Sequence, residues 1–139
     1  MFLSQEHHRT SEKMKQILIL CMALFSLVSV ANAQKKAVIA TEQATHNFGK
    51  IKENGGKVSH DFVLQNKGNS PLIVTRVIAS CGCTTPSWDK EPLKPGASTK
   101  LTITYDPTRR PGPFVKTISV YSNGKTGSLI LTIRGEVVN

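Results

Sequence analysis

The residues best equipped for chemistry gather in one stretch, Ser80-Cys81-Gly82-Cys83-Thr84-Thr85-Pro86. Of the three cysteines, Cys21 lies in an apolar N-terminal run, which leaves Cys81 and Cys83 as the thiols of the remaining chain. Two thiols separated by one residue admit three readings. The first is a local disulfide. In an extended strand, residues two apart share a face at about 6.5–7 Å, the outer limit of disulfide Cα spacing, and Gly82 lets the chain turn more tightly. A ring that small is strained and easily reduced, and it adds little stability through chain entropy. The second is capture of a soft ion, copper or zinc, between two thiolates. A closed zinc site takes four ligands, and His46 and His60 are the histidines beyond the leader. The third is a purely structural turn, with Pro86 biasing Thr85 toward extended geometry. A bridged or structural pair is the expectation, with a redox pair or a Cys81/Cys83 metal site as the alternative.

Other candidates are weaker. Trp88, just past the cysteines, either caps the core or anchors a partner. Arg109-Arg110, between Pro107 and Pro111, is a candidate partner contact or a solvated loop. His60 falls on the inward phase of a strand. Asp61, Asp89 and Asp106 make no acid–base pair by spacing. There is no Ser-His-Asp pattern, phosphate loop or Gly-rich nucleotide fingerprint, so no enzyme activity and no catalytic residues are expected.

The elements that must position these residues read as strands. Val58–Asn66 carries Val58, Phe62 and Leu64 on one face with His60. Leu72–Ala79 is apolar on both faces, which suggests a central strand, although Arg76 falls in phase with Leu72, Val74 and Ile78. Leu101–Tyr105 alternates cleanly, and Phe114–Ser122 and Leu129–Val138 flank an Asn123-Gly124 hairpin turn. Gly135 is expected to mark a bulge in the last strand. A first strand is anchored by Phe48 and Ile51, and Asn54-Gly55-Gly56 turns the chain after it. The stretch from Trp88 to Gly96 reads as loop. No 3.6-residue period appears beyond the leader. Six or seven strands in roughly 100 residues predict an all-β fold, an immunoglobulin-like antiparallel sandwich of about seven strands.

The N-terminus reads differently. Met14-Lys15, an apolar run from Ile17 to Val30 and Ala31-Asn32-Ala33 make a secretory signal over 14–33. Residues 1–13 read as an upstream extension, and 34–139 as the domain. Cys21 is followed by more of the apolar run, which argues against a lipidation site. The run is short of the about 20 residues a membrane span needs. The expectation is an exported protein of the periplasm or cell surface of a Gram-negative bacterium. It is not expected to be an integral membrane protein once the leader is cut, and it meets an oxidising compartment.

The formal charge is +9, and Gln34–Asn139 holds 15 Lys/Arg against 7 Asp/Glu. The basic residues are spread out, with Lys35-Lys36 and Arg109-Arg110 as adjacent pairs. No aromatic–basic interleaving suggests base stacking, so nucleic acid is not an expected partner. A solvated surface is the simpler reading.

Three stretches together carry a resemblance. They are His46-Asn47-Phe48-Gly49-Lys50-Ile51, the Ser80–Pro86 stretch, and Leu93-Lys94-Pro95-Gly96-Ala97-Ser98 leading to Thr104-Tyr105-Asp106-Pro107 and Gly112. Over about residues 40–138 the chain resembles the bacterial exported domain-of-unknown-function family 1573. That family is similar to the wider immunoglobulin-like group of ASPM/SPD-2/Hydin and major-sperm-protein-like domains. The Cys-Gly-Cys-Thr element is specific to the bacterial family, and the Pro-Gly, Tyr-Asp-Pro and Gly spacing is shared with the wider group. The resemblance implies a seven-stranded sandwich and no settled activity, since fold does not fix function. The wider group consists mostly of binding and scaffold modules. The expected function is a protein- or surface-binding module of the cell envelope, its partner an envelope protein or glycan and no cofactor required. The alternative is a periplasmic copper, zinc or thiol-redox handler working through Cys81 and Cys83.

Overall fold

A computed structural model describes residues 12–20 and 34–139. The chain divides into two units, Met1–Gln34 and Lys35–Asn139. In the first, residues 12–20 are helical, with Lys15 paired to Glu12 one turn earlier at 3.1 Å. No helix among the described residues is long and apolar enough to cross a membrane. The rest of the extension and of the leader, including Cys21 and Ala31-Asn32-Ala33, lies outside the described residues.

The second unit is a two-sheet sandwich of eight strands: β1 (Ile39–Ala40), β2 (Thr45–Lys52), β3 (Val58–Asn66), β4 (Val74–Ala79), β5 (Thr84–Trp88), β6 (Ser98–Tyr105), β7 (Gly112–Ser122) and β8 (Ser128–Val138). The first sheet has the order β1-β3-β6-β5 and the second β2-β8-β7-β4. All pairings are antiparallel except β2 on β8, which is parallel, so the second sheet is mixed. Alternation builds the core. Phe62 and Leu64 from β3, Leu101, Ile103 and Tyr105 from β6, Ile118 and Val120 from β7, and Leu131 and Ile133 from β8 are all buried. Such side chains stabilise by about 1.5–3 kcal/mol each on burial. Tyr105 stacks on Phe114, ring centroids 4.0 Å apart, at one end of the sandwich.

Three expectations need correction. The apolar stretch ending at Ala79 is an edge strand, not a central one. Its register shifts between Val74 and Arg76, so Thr75 is an extra residue that reverses the phase. Val74, Val77 and Ala79 turn inward, while Arg76 and Ile78 face out, with the Arg76 guanidinium 4.4 Å above the Tyr121 ring. Leu72 is outside the strand; it bridges to Leu93 and is buried. Second, Thr84–Trp88 is a strand and not a turn exit and loop. Two β-branched threonines favour it, and Pro86 is tolerated because the strand lies at a sheet edge. Third, the bulge sits in β2. Asn47 pairs with Arg134 and Lys50 with Glu136, so Phe48 and Gly49 oppose the single Gly135. Gly49 supplies the positive φ of 67° the bulge requires. Gly135 is the residue that makes room, since a Cβ there would stand 2.8 Å from the Gly49 oxygen.

Candidate functional site

The Cys81–Cys83 turn carries the chain from the edge of one sheet to the edge of the other, between Ala79 on β4 and Thr84 on β5. Both flanks are fastened. Ser80 N–H donates to the Thr117 carbonyl at 2.9 Å, and Thr117 N–H donates back to Ser80 Oγ at 3.1 Å. On the other side Asp106 N–H donates to the Cys83 carbonyl at 2.9 Å, and Thr84 N–H closes the turn on the Cys81 carbonyl at 3.2 Å. Cys81 and Cys83 are bridged, with Cα atoms 5.3 Å apart. That is well inside the spacing of an extended pair, so the turn and not a strand brings the sulfurs together.

The two sulfurs are not equivalent. Cys81 is half-buried and Cys83 is 6% exposed. Cys83 N–H donates to Cys81 Sγ at 3.2 Å. The hydroxyl of Thr84, itself 4% exposed, lies 3.6 Å from Cys81 Sγ and 3.7 Å from Cys83 Sγ. Gly82 is exposed, and nothing stands within 4 Å of the place its Cβ would take.

Arg109 and Arg110 share this end of the sandwich, because their loop begins at Asp106 beside Cys83. Both side chains are exposed. Arg109 holds φ at 57° and its N–H donates to Glu53 Oε1 at 2.8 Å, while Arg110 Nη1 donates to the Thr108 carbonyl at 2.7 Å. Asp106 caps the same loop by accepting from Thr108 N–H at 3.0 Å. Bonds to Thr108 hold its carboxyl below the usual range, and the charges of Lys57 and Arg110 add to that. Trp88 is the last residue of β5, four residues from Thr84 and so about 13 Å along the strand. It is half-buried against the core and its indole Nε1 is buried without a hydrogen-bond partner.

The histidines form a feature that periodicity did not reveal. His46 on β2 and His60 on β3 lie in different sheets, yet their rings stack at 3.6 Å and 7°. Phe48 and Phe62 brace them edge-on at 4.6 and 4.7 Å. Burial, and then the neighbouring His46, push His60 below its ordinary pKa, with Asp61 opposing. A cleft of about 200 Å³ opens beside His60, lined also by Thr41, Glu42 and Gln65. This pair sits on the β2/β3 side of the sandwich, whereas the cysteines sit on the β4/β5 side. Neither histidine therefore joins Cys81 and Cys83, and no three His, Cys, Asp or Glu side chains converge as a metal-holding set among the described residues. The clue available in sequence was that both histidines lie on strands beside a phenylalanine two residues on.

Solved structures share the sandwich. A protein of unknown function from Porphyromonas gingivalis superposes with a TM-score of 0.65 at 20% identity; the match covers 78% of this chain and 50% of that one, so the chain spans half of that relative's length. The ASH / PapD-like domain 7 of human CEP192 superposes with a TM-score of 0.61 at 12% identity, over 81% of this chain and 93% of that domain. The Vibrio cholerae VesB protease matches at a TM-score of 0.56 and 19% identity, over 75% of this chain and 32% of that chain. At these identities the likeness is one of fold, and it is the immunoglobulin-like relation expected from the Pro-Gly and Tyr-Asp-Pro spacing. Among curated proteins no significant match is found. The model of the family described as protein of unknown function DUF1573 matches residues 39–137, which span the whole sandwich and include the bridged Cys81–Cys83 turn, and the chain belongs to that family.

Proposed function

We propose that this chain is a non-catalytic binding module, exported to the cell envelope, that takes an extended segment of another protein along the free edge of β4. The observation that carries the reading is the state of the four sheet edges. β5 has Pro86 at its centre, which removes a donor and blunts the edge. β1 is two residues long, and β2 is interrupted by its bulge. From Arg76 to Ala79, β4 runs regularly against β7, and among the described residues no strand pairs with its other side. Main-chain bonds to such an edge supply affinity, and alternate side chains supply specificity.

The side chains beside that edge indicate the partner's chemistry. Ile78 is 45% exposed and in register with Ser119, which pairs in turn with the exposed Ile130. Arg76, two residues away on the same face, supplies a cation. An added strand with an apolar residue near Ile78 and an acidic one near Arg76 would complement both. The excess of basic residues across the domain favours acidic segments in the encounter.

The test is a photo-crosslinking amino acid placed at Ile78, and in parallel at Ser87 on the β5 edge and at Arg109, in cells that make the full chain. Protein adducts from position 78, lost when Arg76→Glu is added to the same crosslinking protein without a change in melting temperature, are the expected result. Adducts confined to position 87 or 109, or glycan-only capture, would overturn the edge reading. Intact mass of the envelope fraction tests export, with Gln34 as the expected first residue.

A further inference from the structure

We propose that Cys81 and Cys83 form a thiol–disulfide exchange couple that accepts electrons from an exposed protein dithiol, with Cys81 as the sulfur that enters the mixed disulfide. This does not depend on the β4 edge being a docking site.

The position of the turn makes exchange feasible. Attack on a disulfide needs an accessible sulfur. Cys81 is half-buried under an uncovered Gly82, while Cys83 is 6% exposed. The bridge spans one residue, so it restricts the unfolded chain very little. The bonds from Ser80 to Thr117 and from Asp106 to Cys83 hold the turn independently of it. Opening the bridge therefore leaves the sandwich intact.

The donors around the sulfurs favour the reduced form. Thr84 is almost fully buried, and both hydrogen bonds described for its hydroxyl run to sulfur. A buried hydroxyl needs an acceptor, and a bridged sulfur is a weak one. A thiolate is a charged acceptor, and charge-assisted bonds are roughly twice as strong as neutral ones. Reduction thus strengthens the bonds that Cys83 N–H and the Thr84 hydroxyl make to Cys81.

The chemistry balances with the dithiol as reductant. One substrate thiolate attacks Cys81 Sγ. A bond forms between substrate sulfur and Cys81, the Cys81–Cys83 bond breaks, and Cys83 leaves as a thiolate that takes up a proton. The second substrate thiolate then attacks the substrate sulfur of the mixed disulfide. The substrate closes its own disulfide, and Cys81 leaves as a thiolate held by Cys83 N–H and Thr84. Two electrons pass from the substrate to the chain, and a well-stabilised leaving thiolate speeds the second step.

The full chain, equilibrated in glutathione buffers, trapped with alkylating reagent and weighed intact, tests this without any variant. Both oxidation states should be populated within the glutathione range, with melting temperatures that differ little. Thr84→Val should shift the equilibrium against reduction about tenfold, which is about 30 mV for two electrons, and Thr84→Ser should restore it. Cys83→Ser should accumulate a mixed disulfide with oxidised glutathione, whose departing thiol is not tethered to the adduct, and Cys81→Ser, its remaining thiol buried, should not. A pair that stays bridged in buffers more reducing than the glutathione range overturns the proposal. So does equal trapping by the two cysteine variants, or a Thr84→Ser protein that behaves like Thr84→Val.

Discussion

Replacing Asn66 by alanine is predicted to be among the most damaging polar substitutions in this sandwich. Asn66 is fully buried at the end of β3 and uses its whole amide. Nδ2 donates to the Ser70 carbonyl at 2.8 Å and the Leu93 carbonyl at 3.0 Å. Oδ1 accepts from Gly68 N–H at 3.0 Å and Val38 N–H at 3.4 Å. An asparagine amide has two donors and one two-lone-pair acceptor, so nothing is left over. In Asn66→Ala the Leu93 carbonyl keeps its bond from Leu72 N–H, but Ser70, Gly68 and Val38 lose partners. With each net bond worth about 0.5–1.5 kcal/mol and the longest counted least, the loss is about 3 kcal/mol. For a domain of this size that is about 15 °C in Tm. The assay is urea unfolding of both proteins, with the m-value checked for constancy. Asn69→Ala is the control: its Oδ1 accepts one bond, from Lys36 N–H at 2.7 Å, at an exposed position, and should cost less than about 1 kcal/mol. An Asn66→Ala loss no larger than that of Asn69→Ala would refute the assignment of Asn66 as the clasp joining β1, β3 and the Leu93 loop.

Other consequences can be checked independently. Because the folded state holds His60 below its ordinary pKa, its contribution to stability is present above the unfolded value, near 6.5, and lost as pH falls through the folded one. The urea midpoint should therefore drop on going from pH 7.5 to 5 and drop less in His60→Asn; equal drops would remove the stacked pair as the cause. Gly68→Ala puts a Cβ onto the Lys36 oxygen and 2.7 Å from Val38 N, both backbone. It should cost about 1–3 kcal/mol and speed amide exchange at Lys67 and Asn69, whose bonds to Val38 and Lys36 hold β1 down. Gly135→Ala forces its Cβ against the Gly49 oxygen and the buried Phe114 ring, with a similar loss in thermal melts and a visible change in Phe114 ring signals. Arg76→Ala removes an exposed cation–π contact and should change the urea midpoint by no more than about 1 kcal/mol equivalent.

What could be read from the chain and what could not separates along one physical line, between local pattern and long-range pairing. Leu101–Tyr105 is a strand in isolation because strict alternation matches the pleat, and Asn123-Gly124 names its own turn; neither depends on what lies opposite. β4 misled because its extra residue at Thr75 breaks the period of two, so Arg76 looked like a charge on an apolar face when it lies outside over Tyr121. β5 misled because Gly82 and Pro86 set its two strand-favouring threonines among turn formers, and the pairing with β6 is what extends them into a strand. Asn66 read as no more than the last residue of the Val58–Asn66 strand, since nothing local says that Leu93 and Val38 arrive to use its amide. The same limit bears on the cysteine turn. Cys81 and Cys83 were legible as a pair, and a bridge between them was open to spacing arguments. Their inequality was not, because it comes from the folded turn, which buries Cys83 in the core, leaves Cys81 half-buried and aims Cys83 N–H at Cys81 Sγ. A threonine after a cysteine is unremarkable in sequence. Once the sandwich buries that hydroxyl between two sulfurs, the reduced and bridged forms differ in hydrogen-bond energy, and that difference is what the redox titration reads.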